Sequence, residues 1–586
     1  MSETVTGKAF DLSLLKRVMV YSYPYKKTFA FTSLLTLLLA LLAPARPLII
    51  QYMLDNTILA PNKALLINLT ILMVGLLILE TIVQFYQTYL ANWLGQIVIK
   101  DMRMGVYKKI SSFKLKYFDN NAIGTLVTRT ISDIETIADV FSNGILIIGG
   151  DLLKLVVVVI VMFYTNWKLS ILSLASIPVL LIATNMFKNY IKIAFQDVRT
   201  QVSRLNAFVQ EHITGMNIVQ VFNREEQEFE KFKTINELHK KAHVKTVWAN
   251  SVFFPVVEVL SAFSLAFVVW WGAGSIVEGS ITFGELFAFI LYIYMLFRPI
   301  RQLADRFNVL QMGMVASERV FKVLDTNSVI EDSGSKNASG IVGDIKFENV
   351  WFAYNEPEFV LKELNFEVEE GKTLAFVGAT GAGKTSIINL LSRFYEYQKG
   401  DIFIDKVNLK DFELQSLRRN IGIVLQDVFL FSDTIYNNIT LNNDSLSLDK
   451  VIEAAKVVGA HDFIMKLPNN YNYHVGERGA VLSVGQRQLV AFIRAYVYNP
   501  KILVLDEATS SIDTESEELI QRAIEKLTEG RTSVIIAHRL ATIQKADKII
   551  ILEKGRIIEQ GNHQELLKQD GHYKSLYEIQ FKSELS

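Results

Sequence analysis

Cysteine is absent from the 586-residue sequence, and neither sign of charge is in excess. The lack of cysteine excludes disulfide bonds and thiolate metal sites, and it fits a protein that faces the cytoplasm. Lysine plus arginine and aspartate plus glutamate both number 60, so the net charge indicates no nucleic acid or other polyanionic partner. No cleavable signal peptide is evident either, because the charged first residues precede an apolar run that is too long for a signal core.

Apolar residues, by contrast, make up half of the chain, and the mean hydropathy is +0.26. They are concentrated in six N-terminal segments, most of which provide the roughly 20 apolar residues of a membrane-spanning helix. Buried core helices are the alternative, but so many long segments favour a membrane domain. The last segment is shorter than the others. The predicted spans are residues 29–54, 65–90, 144–164, 169–187, 252–276 and 283–297.

Basic residues are unevenly distributed among the connections between these segments. The two long connections, 102–129 and 188–245, are rich in lysine and arginine, whereas the other links are short. The positive-inside rule therefore predicts that both termini and both long connections lie in the cytoplasm. Residues 11–20 are expected to form a short amphipathic helix on the inner membrane surface.

A glycine-rich stretch follows the apolar residues 373–377 and fits the pattern GxxxxGK[ST]. Its glycines let backbone N–H groups approach phosphate oxygens, and the helix that begins near Lys384 adds its positive end. Lys384 is expected to reach the β- and γ-phosphates, and the Thr385 hydroxyl to bind Mg²⁺. A strand before the stretch and a helix after it favour a nucleotide site over a chance turn. The candidate ATP-binding residues here are Gly378, Ala379, Thr380, Gly381, Ala382, Gly383, Lys384, Thr385 and Ser386.

Two carboxylates, Asp506 and Glu507, follow a short apolar run farther along the chain. Residues 502–505 are apolar at every position, which is typical of a parallel-sheet strand that is covered on both faces. Open α/β sheets bind their ligands at the carboxyl ends of such strands. A helical pattern that Asn499-Pro500 ends precedes the run. That pattern begins at a small-residue turn, Leu482-Ser483-Val484-Gly485-Gln486.

Together these motifs resemble the nucleotide-binding domain of an ATP-binding cassette (ABC) transporter. LSVGQ, GATGAGKT and LVLDEATSSID are similar to the family's motifs and occur in its order. The resemblance covers the chain from about Ile345 onward, and it includes Tyr354 in VWFAY, Gln426 in IGIVLQD, VGERG at 475–479 and His538 in IIAHR. It implies an α-helical six-span membrane domain followed by an α/β P-loop ATPase domain of ABC type, with ATP and Mg²⁺ as cofactors.

The resemblance also implies a role for each residue of the hydrolytic site. Asp506 would hold Mg²⁺ through water, alongside Thr385, and Gln426 would contact Mg²⁺ or the attacking water. Glu507 would polarise that water, and His538 would contact the γ-phosphate. ATP hydrolysis needs these functions because the γ-phosphate charge must be neutralised and a water held in line.

Three further elements are assigned through the same resemblance. Tyr354 would stack on adenine, with core packing as the alternative. LSVGQ would act on the ATP of a second subunit, where Ser483 and Gly485 would contact the γ-phosphate, and Asp513 would lie at the same interface. Val484 stands where the family commonly has glycine, whereas Glu507 and His538 keep the family's residues.

The chain is expected to contain one transmembrane domain, 1–325, a polar Ser- and Gly-rich linker, 326–344, and one nucleotide-binding domain, 345–586. Residues 117–129 and 212–222 resemble the family's coupling helices. Because a full transporter has two domains of each kind and the sequence has no internal repeat, a second half-transporter is the expected partner. A homodimer is favoured, since nothing in the chain abolishes either half of an ATP site.

The sequence thus predicts an ATP-driven exporter that moves or flips an amphipathic, lipid-like or drug-like substrate across the cell (inner) membrane, with its ATPase domain in the cytoplasm. One alternative is a subunit of a heterodimeric exporter with one weak ATP site. Another is an ATP-gated channel or regulator without vectorial transport. Membrane lipid is an expected partner and nucleic acid is not.

Four ionisable residues lie inside predicted spans, where a charge is costly and normally faces protein or water. Some of them are expected to line an inward-open cavity, with interhelical pairing as the alternative. They are Arg46, Glu80, Lys154 and Glu258.

Overall fold

The structure is a computed structural model that describes residues 12–58, 62–140, 146–330, 332–506, 514–537 and 539–580. The chain divides into two compact units, one of Met1–Ser112 with Ile123–Asn327 and one of Phe113–Ala122 with Ser328–Ser586. The segment 113–122 therefore groups with the C-terminal unit, although its neighbours in sequence belong to the N-terminal one.

Helices dominate the described chain as far as Asp325. Polar side chains begin several of them: Asn62 accepts a hydrogen bond from the Leu65 amide at 3.0 Å, and Thr282 forms a reciprocal cap with Glu285. The helices are α1 (Leu12–Val20), α2 (Lys26–Leu42), α3 (Ala45–Met53), α4 (Lys63–Ser111), α5 (Leu115–Asn120), α6 (Ile123–Thr130), α7 (Ser132–Asp139), α8 (Leu146–Thr165), α9 (Trp167–Leu174), α10 (Ile177–Thr214), α11 (Met216–Val221), α12 (Glu225–Val277) and α13 (Phe283–Asp325).

Five helical stretches among the described residues are long and apolar enough to cross a membrane: Tyr23–Thr57, Lys63–Ser111, Ile147–Thr165, Trp167–Thr214 and Glu225–Val277. The sixth predicted span forms the start of α13, where Phe283–Phe297 is a shorter apolar helix. Most of these helices continue well beyond the roughly 30 Å hydrocarbon core, since each residue adds about 1.5 Å.

The described residues of the C-terminal unit form ten strands in two sheets. A four-stranded sheet has the order β2-β1-β4-β5, and a six-stranded sheet has the order β10-β9-β3-β8-β7-β6. The strands are β1 (Ile345–Phe352), β2 (Leu361–Val368), β3 (Thr373–Val377), β4 (Lys399–Ile404), β5 (Val407–Asn408), β6 (Ile421–Val424), β7 (Ile502–Asp506), β8 (Thr532–Ile536), β9 (Lys548–Glu553) and β10 (Arg556–Gly561).

Helices surround these sheets, and two of them begin at predicted motifs. They are α14 (Lys384–Leu391), α15 (Leu414–Arg419), α16 (Ile435–Thr440), α17 (Leu448–Val458), α18 (His461–Met465), α19 (Val484–Val497), α20 (Thr514–Thr528), α21 (Leu540–Lys545), α22 (His563–Lys568) and α23 (His572–Gln580). The predicted order of the fold is confirmed, because a helical region with long apolar helices precedes an α/β region.

The large sheet is parallel from β9 to β6, and this arrangement positions the candidate site. Strands β3 and β7 both pair with β8, and β6 pairs with β7. All five residues of β7 are buried, as its continuous apolar run predicts. The carboxyl ends of five parallel strands therefore meet along one edge of the sheet.

The predicted domain boundaries coincide with changes of secondary structure, since α13 ends at Asp325 and β1 begins at Ile345. Part of the predicted linker lies against the C-terminal unit: the amides of Ser335 and Lys336 both donate to the Asp411 carbonyl at 3.0 Å. The functional division at these boundaries stays a prediction.

Candidate functional site

The glycine-rich loop joins β3 to α14, and its backbone requires glycine. Gly378 has a φ of +155° and Gly383 a φ of +106°, which residues with a Cβ rarely adopt. A Cβ on Gly378 would lie 2.3 Å from the carbonyl oxygen of Leu552, and one on Gly383 would lie 2.6 Å from a methyl group of Leu361. The loop is thus packed closely on one side, which leaves its other side for a ligand.

Lys384 places a buried positive charge in this loop. Its ammonium group donates to the carbonyl oxygens of Gly378 at 2.6 Å and Ala379 at 3.1 Å. Burial lowers the pKa of Lys384, and the nearby Asp506 carboxylate acts in the opposite direction. A bound phosphate group would add an anionic hydrogen-bond acceptor to the two backbone carbonyls that accept from this ammonium group.

Asp506 ends β7 and is also buried. Burial raises the pKa of this carboxyl group, while Lys384 and a hydrogen bond with Thr385 lower it. The two side chains therefore bring a carboxylate and a hydroxyl oxygen together beside the phosphate loop. Oxygen ligands of this kind are those that Mg²⁺ prefers, so the described residues fit both ATP and its metal ion.

Gln426, another predicted residue of the hydrolytic site, belongs to the same edge of the sheet by topology. Gln426 follows β6 and is exposed, so its amide is available to a ligand. Glu507, Asp513 and His538 lie outside the described residues. Their predicted roles stay predictions.

Tyr354 follows β1 with its ring half-buried. Its hydroxyl forms hydrogen bonds with Ser386 and Asn389 of α14, both at 3.0 Å. The ring meets Tyr395 edge-on with centroids 4.9 Å apart. The structure therefore joins the predicted adenine contact to the helix that begins at the phosphate loop, a link that the sequence did not indicate.

The turn LSVGQ caps α19, as predicted from its small residues. The Ser483 hydroxyl accepts from the Gln486 amide at 3.2 Å, and the Gln486 side chain accepts from the Ser483 amide at 3.0 Å. Leu482 and Gly485 are buried, whereas Ser483 and Val484 are exposed. Val484, which differs from the glycine common in the family that the sequence resembles, is thus exposed. Its side chain is available to a surface that packs against the start of α19 and contributes little to the fold.

The segment before Ile123 contributes contacts that sequence reasoning missed. Within the C-terminal unit, Lys116 of α5 donates to the carbonyl oxygen of Tyr354, and the Tyr395 hydroxyl donates to Asp119. The only signal was that these residues lie in or beside the predicted coupling segment 117–129. The second predicted coupling segment, 212–222, contains α11.

The charges predicted for the membrane spans are not all alike. Arg46 of α3 forms a 2.6 Å ion pair with Glu80 of α4, and the Glu80 side chain is only 11% exposed. Lys154 lies in α8 and Glu258 in α12, and each interacts with other groups. The Arg46–Glu80 contact corresponds to the interhelical alternative, whereas a role in a cavity stays a prediction.

Comparisons with known proteins match two family models to this chain. Residues 29–300 match the model described as the ABC transporter transmembrane region, and residues 361–510 match the one described as ABC transporter. The two matches follow the order of the helical and α/β units.

Several curated proteins are similar to the chain along nearly its whole length. YknV, an uncharacterized ABC transporter ATP-binding protein of Bacillus subtilis (strain 168), is 39% identical over 99% of this chain and 96% of its own. An ATP-dependent lipid A-core flippase of Syntrophus aciditrophicus (strain SB) is 33% identical over 98% and 95%. YheH, a probable multidrug resistance ABC transporter ATP-binding/permease protein of B. subtilis (strain 168), is 37% identical over 86% and 76%.

Proposed function

Because this chain belongs to the ABC transporter family, we propose that two copies of it form an exporter for an amphipathic or lipid-like molecule. The chain is a half-size ABC exporter that couples an ATPase to transport, and half-size chains of this family act as dimers. The observation that carries the proposed ATP chemistry is the joint burial of Lys384 and Asp506 beside a loop that has no room for a Cβ at Gly378 or Gly383.

In the proposed site, the loop amides and Lys384 bind the phosphates, while Thr385, Asp506 and Gln426 hold Mg²⁺. When bound, the metal ion would neutralise part of the phosphate charge. Glu507 orients the attacking water, and His538 contacts the γ-phosphate. Tyr354 contacts adenine, which would require its ring to present one face to the base.

The second copy supplies its LSVGQ turn and Asp513 to each site. Exposure of Ser483 and Val484 supports this proposal, because the capped start of α19 is open to an incoming surface. A homodimer is proposed over a heterodimer, since Val484 leaves Ser483 and Gly485 in place for phosphate contact.

The proposed location is the cell membrane, with the ATPase unit in the cytoplasm. Five long apolar helices support membrane insertion, and the basic long connections support the orientation. ATP then acts by stabilising the state in which the two nucleotide-binding domains associate, which shifts the membrane domains between inward- and outward-open populations.

Replacement of Glu507 by glutamine tests the proposed chemistry. The purified dimer in lipid vesicles should bind Mg·ATP with unchanged affinity but hydrolyse it at least ~100-fold more slowly, because water is no longer activated. Glu518→Gln, which removes an exposed carboxylate of α20, should keep normal turnover.

Three results would contradict parts of the proposal. Near-normal turnover in Glu507→Gln would remove that residue from the mechanism. Turnover only after addition of a different ABC subunit would replace the homodimer by a heterodimer. Steady turnover with no accumulation of any labelled lipid or drug in inside-out vesicles would favour a channel or regulator.

A further inference from the structure

The N-terminal unit encloses a cavity of about 1270 Å³ between α8, α10, α12 and α13. Pockets for drug-sized ligands commonly measure about 300–1000 Å³, so this one can hold a larger molecule. Its described lining contains none of the four charges predicted from the sequence. The cavity therefore has to be interpreted from the side chains that do line it.

One part of the cavity is apolar. Leu152, Val156 and Ile160 line it from α8, and their spacing of four residues places them along one helical face. Leu181 faces the same space from α10. In a single copy of the chain these side chains are 48–62% exposed, and a bound hydrocarbon chain would remove them from water.

The other part of the cavity is basic. Lys188, Lys192 and Arg199 follow Leu181 along α10, and spacings of four and seven residues keep them on one face. The fourth charged residue of the lining is Arg319, which donates to Asp133 at 2.5 Å. Neither Lys192 nor Arg199 has an ion-pair partner within the described ranges, and no described lining residue is a carboxylate.

The order of these two parts along α10 matches that of a lipid in the inner leaflet. Leu181 lies in the apolar beginning of the helix, whereas Lys192 and Arg199 lie toward the end that leads into the predicted cytoplasmic connection. Basic residues near a membrane surface can simply extend toward water. Arg204, about one turn farther on, is exposed but does not line the cavity. The cavity is therefore lined by particular basic residues of α10 and not by every basic residue of that helix.

We propose that this cavity binds a membrane phospholipid with an anionic headgroup. The acyl chains lie among the apolar side chains of α8 and α10, and the headgroup phosphate lies between Lys192 and Arg199. Basic pockets between membrane helices favour such headgroups, and they disfavour amphipathic cations. This inference rests on the proposed export function and names the class of its substrate.

The absence of native cysteine makes the site directly testable. A single reporter cysteine, Leu181→Cys, is introduced into the full-length chain, and its maleimide labelling rate is followed in neutral detergent without nucleotide. Added phosphatidylglycerol should slow labelling at much lower concentration than phosphatidylcholine. Lys192→Gln with Arg199→Gln should weaken the phosphatidylglycerol effect roughly thirtyfold, since each cation near an anionic headgroup contributes to its binding.

Two matched variants separate charge at the site from charge in general. Arg204→Gln with Lys241→Gln removes two exposed cations that do not line the cavity, and it should keep the preference for phosphatidylglycerol. Lys192→Arg with Arg199→Lys keeps both charges and should keep the preference as well. Where the double glutamine variant fails to fold, the difference between phosphatidylglycerol and phosphatidylcholine in the Leu181→Cys protein still tests the proposal.

Two other results would overturn the proposal. Equal protection by the two lipids would show an apolar site without headgroup selection, and protection by tetraphenylphosphonium instead would show a cation site. Because cysteine labelling needs no ATP, the labelling experiment can succeed even where the exporter proposal fails. In that case phosphatidylglycerol would protect the cysteine, but ATPase turnover or vesicle transport would be missing.

Discussion

The two units treat their apolar residues in opposite ways. Every residue of β7 is buried inside the C-terminal unit, whereas Ile71, Leu72 and Ile78 of α4 are 55–65% exposed. The C-terminal unit forms its own apolar core from strands and helices. The N-terminal unit leaves apolar surface that only lipid or another protein chain can cover.

Charges differ between the units in a corresponding way. In the C-terminal unit, Lys384 and Asp506 are buried, and each belongs to a short motif of consecutive residues. In the membrane unit, Arg46 and Glu80 come from different helices, and the cavity cations lie on a helical face that no motif marks. A local site can thus be recognised from consecutive residues, while a site between helices depends on packing.

The largest expected effect would break the ATP site while leaving the membrane unit intact. Gly378→Ala should weaken ATP binding at least ~100-fold, because its Cβ would lie 2.3 Å from the Leu552 carbonyl oxygen and strained backbone adds to the cost. Gly381→Ala is the matched control, since Gly381 has a φ of +84° but open space around its Cβ position. It should cost about tenfold or less.

Titration with a fluorescent ATP analogue on the full-length protein measures both variants. The thermal unfolding of the membrane unit should not change. Equal losses in the two alanine variants would contradict the importance of the close packing under Gly378.

An intermediate effect concerns the Arg46–Glu80 pair of the membrane unit. Glu80→Gln should lower the free energy of unfolding by about 1–2 kcal/mol, since Arg46 would lose its partner while remaining partly exposed. The double variant Arg46→Met with Glu80→Met should recover most of this loss, because both charges are then absent. A double-mutant cycle of thermal stability in lipid measures the coupling.

The same variants sharpen the comparison between pairing and transport. Unchanged substrate-stimulated ATPase in the double variant indicates that the pair acts in packing alone. A changed response to substrate at unchanged stability would instead support the predicted cavity role of Arg46 and Glu80.

The smallest effect is expected at the C-terminal end of the ATPase unit. Burial lowers the pKa of His563, whose Nδ1 lies 2.6 Å from the Tyr573 hydroxyl oxygen. The unfolded chain therefore binds a proton at higher pH than the folded one. Stability that is present above about pH 6.5 should decline as the pH falls below it.

Unfolding midpoints at pH 7.5 and 5.5 check this sign, with His563→Gln expected to reduce the difference between them. His572→Gln, at the exposed start of α23, serves as the control and should retain it. A parent protein whose unfolding midpoint is at least as high at pH 5.5 as at pH 7.5 would contradict the expected direction.

The sequence indicated much of the ATPase unit because its signals are short and local. The continuous apolar run 502–505 predicted a buried strand, and β7 occupies those residues with Asp506 at its end. The small-residue turn at Ser483 predicted a helix start, and α19 begins at Val484. The length of the apolar segments also predicted the membrane helices, although α2 ends at Leu42 and α3 begins at Ala45 within one predicted span.

Other features could not be predicted, because they join residues that are far apart in the chain. The Tyr354 hydroxyl bonds to α14, and Asp119 lies against Tyr395 across 276 positions. Likewise, the basic residues of α10 suggested only the membrane orientation. Their position in a cavity appeared only when α8 and α13 were packed beside them.

The amino-acid sequence by itself determined the order of the two units, the phosphate loop and the helix and strand that flank the candidate site, since backbone conformation and hydrophobic pattern act over a few residues. The tertiary structure alone decided which charges are paired, which are buried and which face the cavity. Those properties depend on distance and solvent exposure, and both are set by the packing of segments that are not adjacent in the chain.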